Sequence, residues 1–231
     1  MIPESEPHPS TGQLIGLPID TTPAQRPGPV TIEGRYGRIE KHATRHTAEL
    51  CAAFAGHDRI WTYMSHGPFT DEPSLAAFFD RRAVSSDPYA YAVIDASGRT
   101  VGSLSLSVIR PEMRVVEVGH VLYAPTLQRT PLGTEAQYLL ARYAFETLGY
   151  RRYEWKCNSL NEPSRRAALR YGFTYEATFR QHQIIKDRNR DTAWFSMLAS
   201  EWPARKAAFE RWLDPGNFDA YGKQRHKLGD A

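Results

Sequence analysis

Three side chains in this chain have the types and placement needed to move protons: Glu117, Ser164 and His182. Ser164 belongs to the run 150–173, which reads as a strand, a loop, a short helix and a Gly-Phe re-entry into a further strand. Asn161 is a good N-cap for that helix, and Ser164 falls three residues later on its first turn. A hydroxyl there can assist a departing anion. Glu117 lies in the strand-like run 114–123, where alternation puts it on one face with Val115, Gly119, Val121 and Tyr123. A carboxylate among such neighbours either pairs with a nearby arginine or carries a raised pKa suited to proton abstraction. Gly119 would permit a local bulge in this strand. His182, near the end of the strand after Gly172-Phe173, is a second base candidate, with an exposed strand-end residue as its plainer reading.

A second constellation suits anion binding. Gln128 and Arg129 lead into Thr130, a good N-cap, and Pro131 fits the first helical position, where its missing N–H costs nothing within the helix. Leu132, Gly133 and Thr134 would then present backbone N–H groups, backed by the positive end of the helix dipole, to a phosphate. The plainer alternative is a well-capped helix start.

The elements that must position these residues follow from periodicity and punctuation. Residues 1–29 hold seven of the sixteen prolines and read as a flexible tail or docking arm. The fold begins near Val30, with a bent strand at 30–39. Helices are expected at 42–55, 60–64 and 72–83, and strands at 89–94, 100–109 and 114–123. A helix over 132–148, a strand at 151–157, a helix at 162–171 and strands at 174–182 and 192–199 follow, the last pair joined by a polar turn at 187–191. A final helix runs from Pro203 to Leu213. Residues 30–203 thus form the domain, with 204–231 as a C-terminal helix and tail packed on or extending from it. The order fits a single α+β sheet better than a doubly wound nucleotide fold.

Composition narrows the class. With 41% hydrophobic, 12% aromatic and 24% charged residues the chain suits a folded globular domain, and a net charge of +3 gives no argument for nucleic acid. Cys51 and Cys157 match no metal-ligand spacing and read as free thiols. Cys157 shares a strand face with Tyr153 and Trp155, so a buried inert thiol is favoured over a nucleophilic one. His42 and His46 have the spacing of a metal pair but lack a third ligand, which favours a solvated helix face. Neither a basic n-region nor an apolar h-region is visible, and no apolar run is long enough for a bilayer, so a cytoplasmic protein is expected.

The Asn161-x-x-Ser164 spacing with Gly172-Phe173, together with the 128–136 loop, resembles the cofactor site of the GCN5-related N-acetyltransferase (GNAT) superfamily, and Thr134-Glu135-Ala136 is similar to its ribosomal-protein-alanine N-acetyltransferase branch. The family's loop reads Gln or Arg, two residues, Gly, one residue, then Gly or Ala. Here Pro131 stands for the first glycine and removes one donor. The resemblance covers about 30–203. It implies a mixed, mostly antiparallel sheet splayed at the cofactor site, with helices on both faces. It also implies acetyl-CoA as acetyl donor, no metal, and an acceptor amine on a protein N-terminus or a small molecule. Val121, Leu122 and Tyr123 would hold the pantetheine amides, Asn161 would hold the pantetheine arm, and Ser164 would lie beside the thioester. Gln128, Arg129, Thr130, Leu132, Gly133 and Thr134 would form the pyrophosphate loop. Glu117 would activate the amine through water; some relatives use a glutamate at the position of Gln183. Trp61, Tyr63, Met64 and Phe69 would lie near the acceptor pocket. Basic clusters at Arg165, Arg166 and Arg170 and at Arg188 and Arg190 read as solvated faces, or as contacts for a 3′-phosphate or an RNA-rich partner. The expected partners are acetyl-CoA and the amine, without membrane or direct nucleic acid, and a homodimer is compatible. The alternative from another class is a non-catalytic acyl-CoA-binding or partner-docking protein with this fold.

Overall fold

The computed structural model describes residues 4–229. A small hairpin of β1 (Ser5–Pro7) and β2 (Leu14–Gly16) precedes the main sheet. The sheet strands are β3 (Thr31–Glu33), β4 (Gly37–Lys41), β5 (Tyr89–Asp95), β6 (Thr100–Arg110), β7 (Val115–Tyr123), β8 (Arg152–Asn158), β9 (Thr174–Ile185) and β10 (Arg188–Leu198). The helices are α1 (Thr47–Phe54), α2 (Glu72–Val84), α3 (Pro131–Arg142), α4 (Glu162–Arg170) and α5 (Trp202–Leu213). Eight strands pair in the order β3-β4-β5-β6-β7-β8-β10-β9. All pairs are antiparallel except β7 with β8, which α3 connects as a crossover. This is the α+β sheet expected from the sequence.

Two apolar clusters cover the two faces. On one, Leu139 and Leu140 of α3, Ala168 of α4 and Phe209 and Trp212 of α5 pack on Val116, Val118 and Tyr153. On the other, Leu50 and Phe54 of α1 and Phe78 and Phe79 of α2 pack with Trp61 and Leu122.

The pairing of β6 with β7 carries the feature that shapes the site. Ser105 faces Gly119, but Ser103 faces Leu122, so β7 holds one residue more than β6 over this stretch. His120 takes up the extra length in a left-handed conformation, φ 51°. Such a bulge reverses the alternation of everything beyond it. Val116 and Val118 pack in the α3 cluster and so do Val121 and Tyr123, whereas Leu122 packs against α1 and α2. The expectation that Glu117, Val121 and Tyr123 share one face is therefore corrected: simple alternation ends at the bulge. Gly119 was the expected bulge residue, but its role is spatial, since a Cβ there would lie 2.8 Å from Ser107 Oγ and 3.2 Å from Glu117 Oε1.

Other elements shift for local reasons. Lys186 and Asp187 both have positive φ, 53° and 57°, and close a tight turn, so 188–191 of the polar turn expected at 187–191 belong instead to β10. The long helix expected to Leu148 ends its α-helical part at Arg142 and continues as a wider turn, Tyr143–Thr147. The expected 60–64 helix is a single 3₁₀ turn, Asp58–Trp61. Within the segment read as a flexible tail, residues next to the domain are anchored. Ala24 N donates to Pro111 O (3.0 Å), Gln25 N to Leu148 O (2.8 Å) and Gly28 N to Tyr143 Oη (3.2 Å). Among the described residues no helix is long and apolar enough to cross a membrane.

Glu135 ties α3 to the opening strands. Its buried carboxylate accepts from Arg35 N (2.7 Å) and Tyr36 N (2.8 Å), and a Cβ at Gly34 would overlap it at 2.4 Å. Glu135→Ala leaves these donors unpaired and is expected to cost about 2 kcal/mol, read as a lowered midpoint in chemical denaturation. An unchanged midpoint would show that water replaces the carboxylate.

Candidate active site

Pairing between β7 and β8 stops at Val118–Trp155, while β8 continues alongside β10 through Asn158–Thr192. Beyond that point, among the described residues, β7 has a partner on its β6 side only, and the two strands part around a cleft of about 300 Å³. Glu117, Gly119, His120 and Val121 line it from β7, Trp155 and Cys157 from β8, and Asn161 and Ser164 from the start of α4. Two proton-handling residues widely separated in sequence, Glu117 and Ser164, are thus brought to one cavity.

Glu117 is not free. Lys156 Nζ lies 2.9 Å from its Oε2 and 3.3 Å from Glu154 Oε2, with Nζ also 3.9 Å above the Trp194 ring. The partner foreseen as an arginine is this lysine. Burial nevertheless pushes the Glu117 carboxyl above its ordinary range; Lys156 works against the rise and the neighbouring Glu154 adds to it.

His120 sits beside it and went unnoticed in the sequence, because only the bulge turns it into the cleft. Burial holds its imidazole down at about 4, with Arg82, His66 and Arg190 adding to the effect, so it is neutral at pH 7. Its Nδ1 is buried and has no hydrogen-bond partner among the described residues. Behind the bulge lies Arg82, itself buried, whose Nη2 donates to Ser105 Oγ (2.8 Å) and approaches the His120 carbonyl oxygen (3.5 Å).

Ser164 is held as its position in the helix requires. Asn161 Oδ1 accepts from Ser164 N (3.2 Å), the expected cap, and Trp155 Nε1 donates to Ser164 Oγ (3.0 Å). The indole occupies one acceptor position of the hydroxyl, leaving its proton free to be donated. Cys157 is buried nearby, and burial raises its thiol above the usual range, with Ser164 opposing the rise. It is an un-ionised thiol, as the sequence suggested.

The helix start at 130–134 forms as expected, with different backbone bonding. Thr130 Oγ1 accepts from Gly133 N (3.1 Å), and Thr130 O accepts from Thr134 N (3.3 Å). Two of the three N–H groups expected to face a phosphate therefore have partners within the chain. The Leu132 N–H has none among the described residues. Arg129 precedes the cap with φ 61°, and Gln128 Nε2 donates to the Tyr123 carbonyl oxygen (2.9 Å), joining loop to strand. Gly133 is fixed by close packing, since a Cβ would lie 2.8 Å from Leu127 O. Thr134 Oγ1 accepts from Arg170 Nη1 (3.1 Å). Tyr123 lines the cleft and donates to Gly133 O (2.9 Å). Leu122 turns away into the opposite core, so only its backbone is available to the cleft.

His182 lies outside the cleft. It sits on β9, with β10 between it and β8, and its Nδ1 is 3.0 Å from Thr192 Oγ1. It lines a separate surface depression with Phe179 and Gln181. His42 and His46 are buried, contrary to the solvated face expected. His46 Nε2 is 2.8 Å from Glu40 Oε1, and burial brings His42 down to about 3. Among the described residues no cluster of three or more His, Cys, Asp and Glu is arranged for a metal. Of the basic clusters, Arg166 pairs with Glu162, and Arg170 stacks on Trp212 at 4.7 Å. Tyr63 and Met64 line the cleft, while Trp61 and Phe69 belong to the α1–α2 core.

A family profile described as an acetyltransferase (GNAT) domain matches residues 38–174. A solved GCN5-related N-acetyltransferase from Brucella melitensis is 44% identical, with a TM-score of 0.88 over 91% of this chain and 97% of that one. A probable acetyltransferase of the GNAT family from Chromobacterium violaceum is 38% identical, with a TM-score of 0.77 over 85% of this chain and 100% of that one. A structure described as a candidate ribosomal-protein-serine acetyltransferase from Vibrio cholerae shares the fold at 19% identity, with a TM-score of 0.62 over 73% of this chain and 97% of that one. Among proteins of curated function none matches this chain. The breadth of the profile match and the closeness of the Brucella melitensis structure put the chain within the GNAT superfamily: it is an N-acetyltransferase that takes its acetyl group from acetyl-CoA.

Proposed function

We propose that the chain acetylates a primary amine, on a protein N-terminus or a small molecule, by direct attack in a ternary complex. The observation that carries this reading is the parting of β7 and β8 beyond Val118–Trp155, which sets Glu117 and Ser164 around one cleft. The residues present fit the donor. The β7 edge from Gly119 to Tyr123 lacks a strand partner on its β8 side and suits the pantetheine amides. The Leu132 N–H and the dipole at the start of α3 suit the pyrophosphate. Asn161 lines the same cleft and suits the pantetheine arm.

When bound, acetyl-CoA supplies the thioester carbonyl that the amine attacks. Glu117, through a water, takes the amine's proton. A protein α-amine titrates near ~7.7–8.0 against ~10.4 for lysine, so a carboxyl of raised pKa is an adequate base for it. His120 is the other proton acceptor in the cleft, but at about 4 it is the weaker base unless the acceptor changes its surroundings. Ser164 gives its proton to the departing sulfur while Trp155 fixes the hydroxyl's direction, and the proton that Glu117 took returns through water to restore the serine hydroxyl. The un-ionised Cys157 favours direct attack over an acetylated enzyme. The likeness of Thr134-Glu135-Ala136 to the ribosomal-protein-alanine branch, and the distant Vibrio cholerae fold match, favour a protein N-terminus among the acceptors. Initial velocities with both substrates varied test the mechanism: intersecting lines are expected, and parallel lines would replace the ternary complex with an acetylated enzyme.

A further inference from the structure

We propose that the acceptor amine carries an anionic group, a carboxylate or a phosphate, and that Arg190 is the residue that pairs with it. The inference rests on the amine-acetylation reading above and names the acceptor's class. Arg190, on β10, lines the cleft with Glu117, His120 and Cys157. It is partly buried, and its Nε is buried without a hydrogen-bond partner among the described residues. Glu117 is near enough to act on it electrostatically, but no carboxylate forms an ion pair with it among the described residues.

The surrounding charges point the same way. Among the described residues Glu117 is the one carboxylate lining the cleft, and Lys156 already engages it at 2.9 Å. Facing this pair are Arg190 and the unpartnered His120 Nδ1. Behind them, among the described residues, Arg82 bonds only to hydroxyl and carbonyl oxygens, and its buried Nε is also unpartnered. Lys186, at the tip of the β9–β10 hairpin, donates to Trp61 O at 2.8 Å, bringing another cation toward the 61–66 segment beside the cleft. His66 feels Arg82, Arg81 and Lys186 together. A guanidinium partly removed from water without a counterion is costly, and an anion supplied by the substrate removes that cost. The planar fork of arginine suits carboxylate and phosphate alike. The phosphates of the donor are assigned to the start of α3, and its pantetheine arm is neutral, so the anion that reaches Arg190 belongs to the acceptor. Polyamines, which would meet this cationic wall with more positive charge, are disfavoured.

The test measures kcat/KM by CoA-thiol release for matched amines differing in one charge. The pairs are β-alanine against β-alaninamide, O-phosphoethanolamine against ethanolamine, and peptide amides beginning Ala-Asp against Ala-Asn, with spermidine added. In at least one pair the anionic member should be preferred by at least ~10-fold. Arg190→Gln should remove most of that preference, and Arg190→Lys should restore part of it. The preferred pair tells whether the anion is carried by a small molecule or by a protein N-terminus. The proposal is overturned if neutral amines or spermidine serve as well as every anionic partner. It is equally overturned if both Arg190 variants lose the same factor on charged and neutral members. Turnover restricted to neutral amines would sink this inference alone. Binding of acetyl-CoA without turnover of any amine would overturn the acetylation reading and this inference with it.

Discussion

Glu117→Gln should lower kcat/KM for the amine by roughly 10²- to 10⁴-fold, the usual contribution of a positioned general base. The variant keeps the shape of the side chain but cannot take a proton. Because burial raises the Glu117 carboxyl, the carboxylate forms only at a pH above the ordinary range, so the rate of the parent protein should rise with pH through that ionisation. The variant should lose this limb of the profile. Stability runs the other way. A buried acid with a raised pKa favours the fold when protonated, and that contribution falls as pH climbs from the unfolded value through the folded one. Glutamine mimics the protonated form, and Lys156 keeps Glu154 at 3.3 Å, so the variant should be about as stable as its parent at neutral pH. An unaltered pH profile with retained activity would pass the role of base to His120, the other proton acceptor in the cleft.

Ser164→Ala is expected to reduce kcat by roughly 10²-fold or more, the low end of general-acid contributions, while the affinity for acetyl-CoA changes little. The hydroxyl also accepts the bond from Trp155 Nε1, so its removal strands a partly buried indole N–H. A stability loss of about 1 kcal/mol should accompany the loss of turnover. Trp155→Phe separates the two effects. It removes the same hydrogen bond while leaving the Ser164 hydroxyl in place, so it should reproduce the lost bond without the full catalytic defect. Equal losses of turnover in both variants would mean that the hydrogen bond between the two side chains, which fixes the hydroxyl's direction, carries the whole effect. Full turnover in Ser164→Ala would remove the residue from the chemistry.

The parts of the site that the sequence made legible are those encoded locally. The Asn161 cap and Ser164 one turn on, the Thr130 cap ahead of Pro131, and the succession of strands all depend on residues within a few positions of each other. What escaped was set by register and by long-range pairing. Alternation put Val121 and Tyr123 beside Glu117, and the left-handed His120 moved them to the other face while turning its own ring into the cleft. Lys156 could not be assigned to Glu117, because the register of β7 against β8 is fixed by the whole crossover. Leu132, Gly133 and Thr134 looked equivalent as donors, yet the Thr130 side chain and carbonyl engage the last two. His182 occupied a plausible sequence distance from the Gly172-Phe173 re-entry, but the long β9–β10 hairpin carries it away from the cleft.

The cleft between β7 and β8 is expected to transfer an acetyl group from acetyl-CoA to an amine. Incubation of the protein with acetyl-CoA and the amine panel, measuring CoA thiol and acetylated amine in the same samples, tests it most directly. Equal amounts of the two products, both suppressed in Glu117→Gln, are predicted. Thiol release without acetylated amine, or no acetylated amine from any member of the panel, would contradict the account.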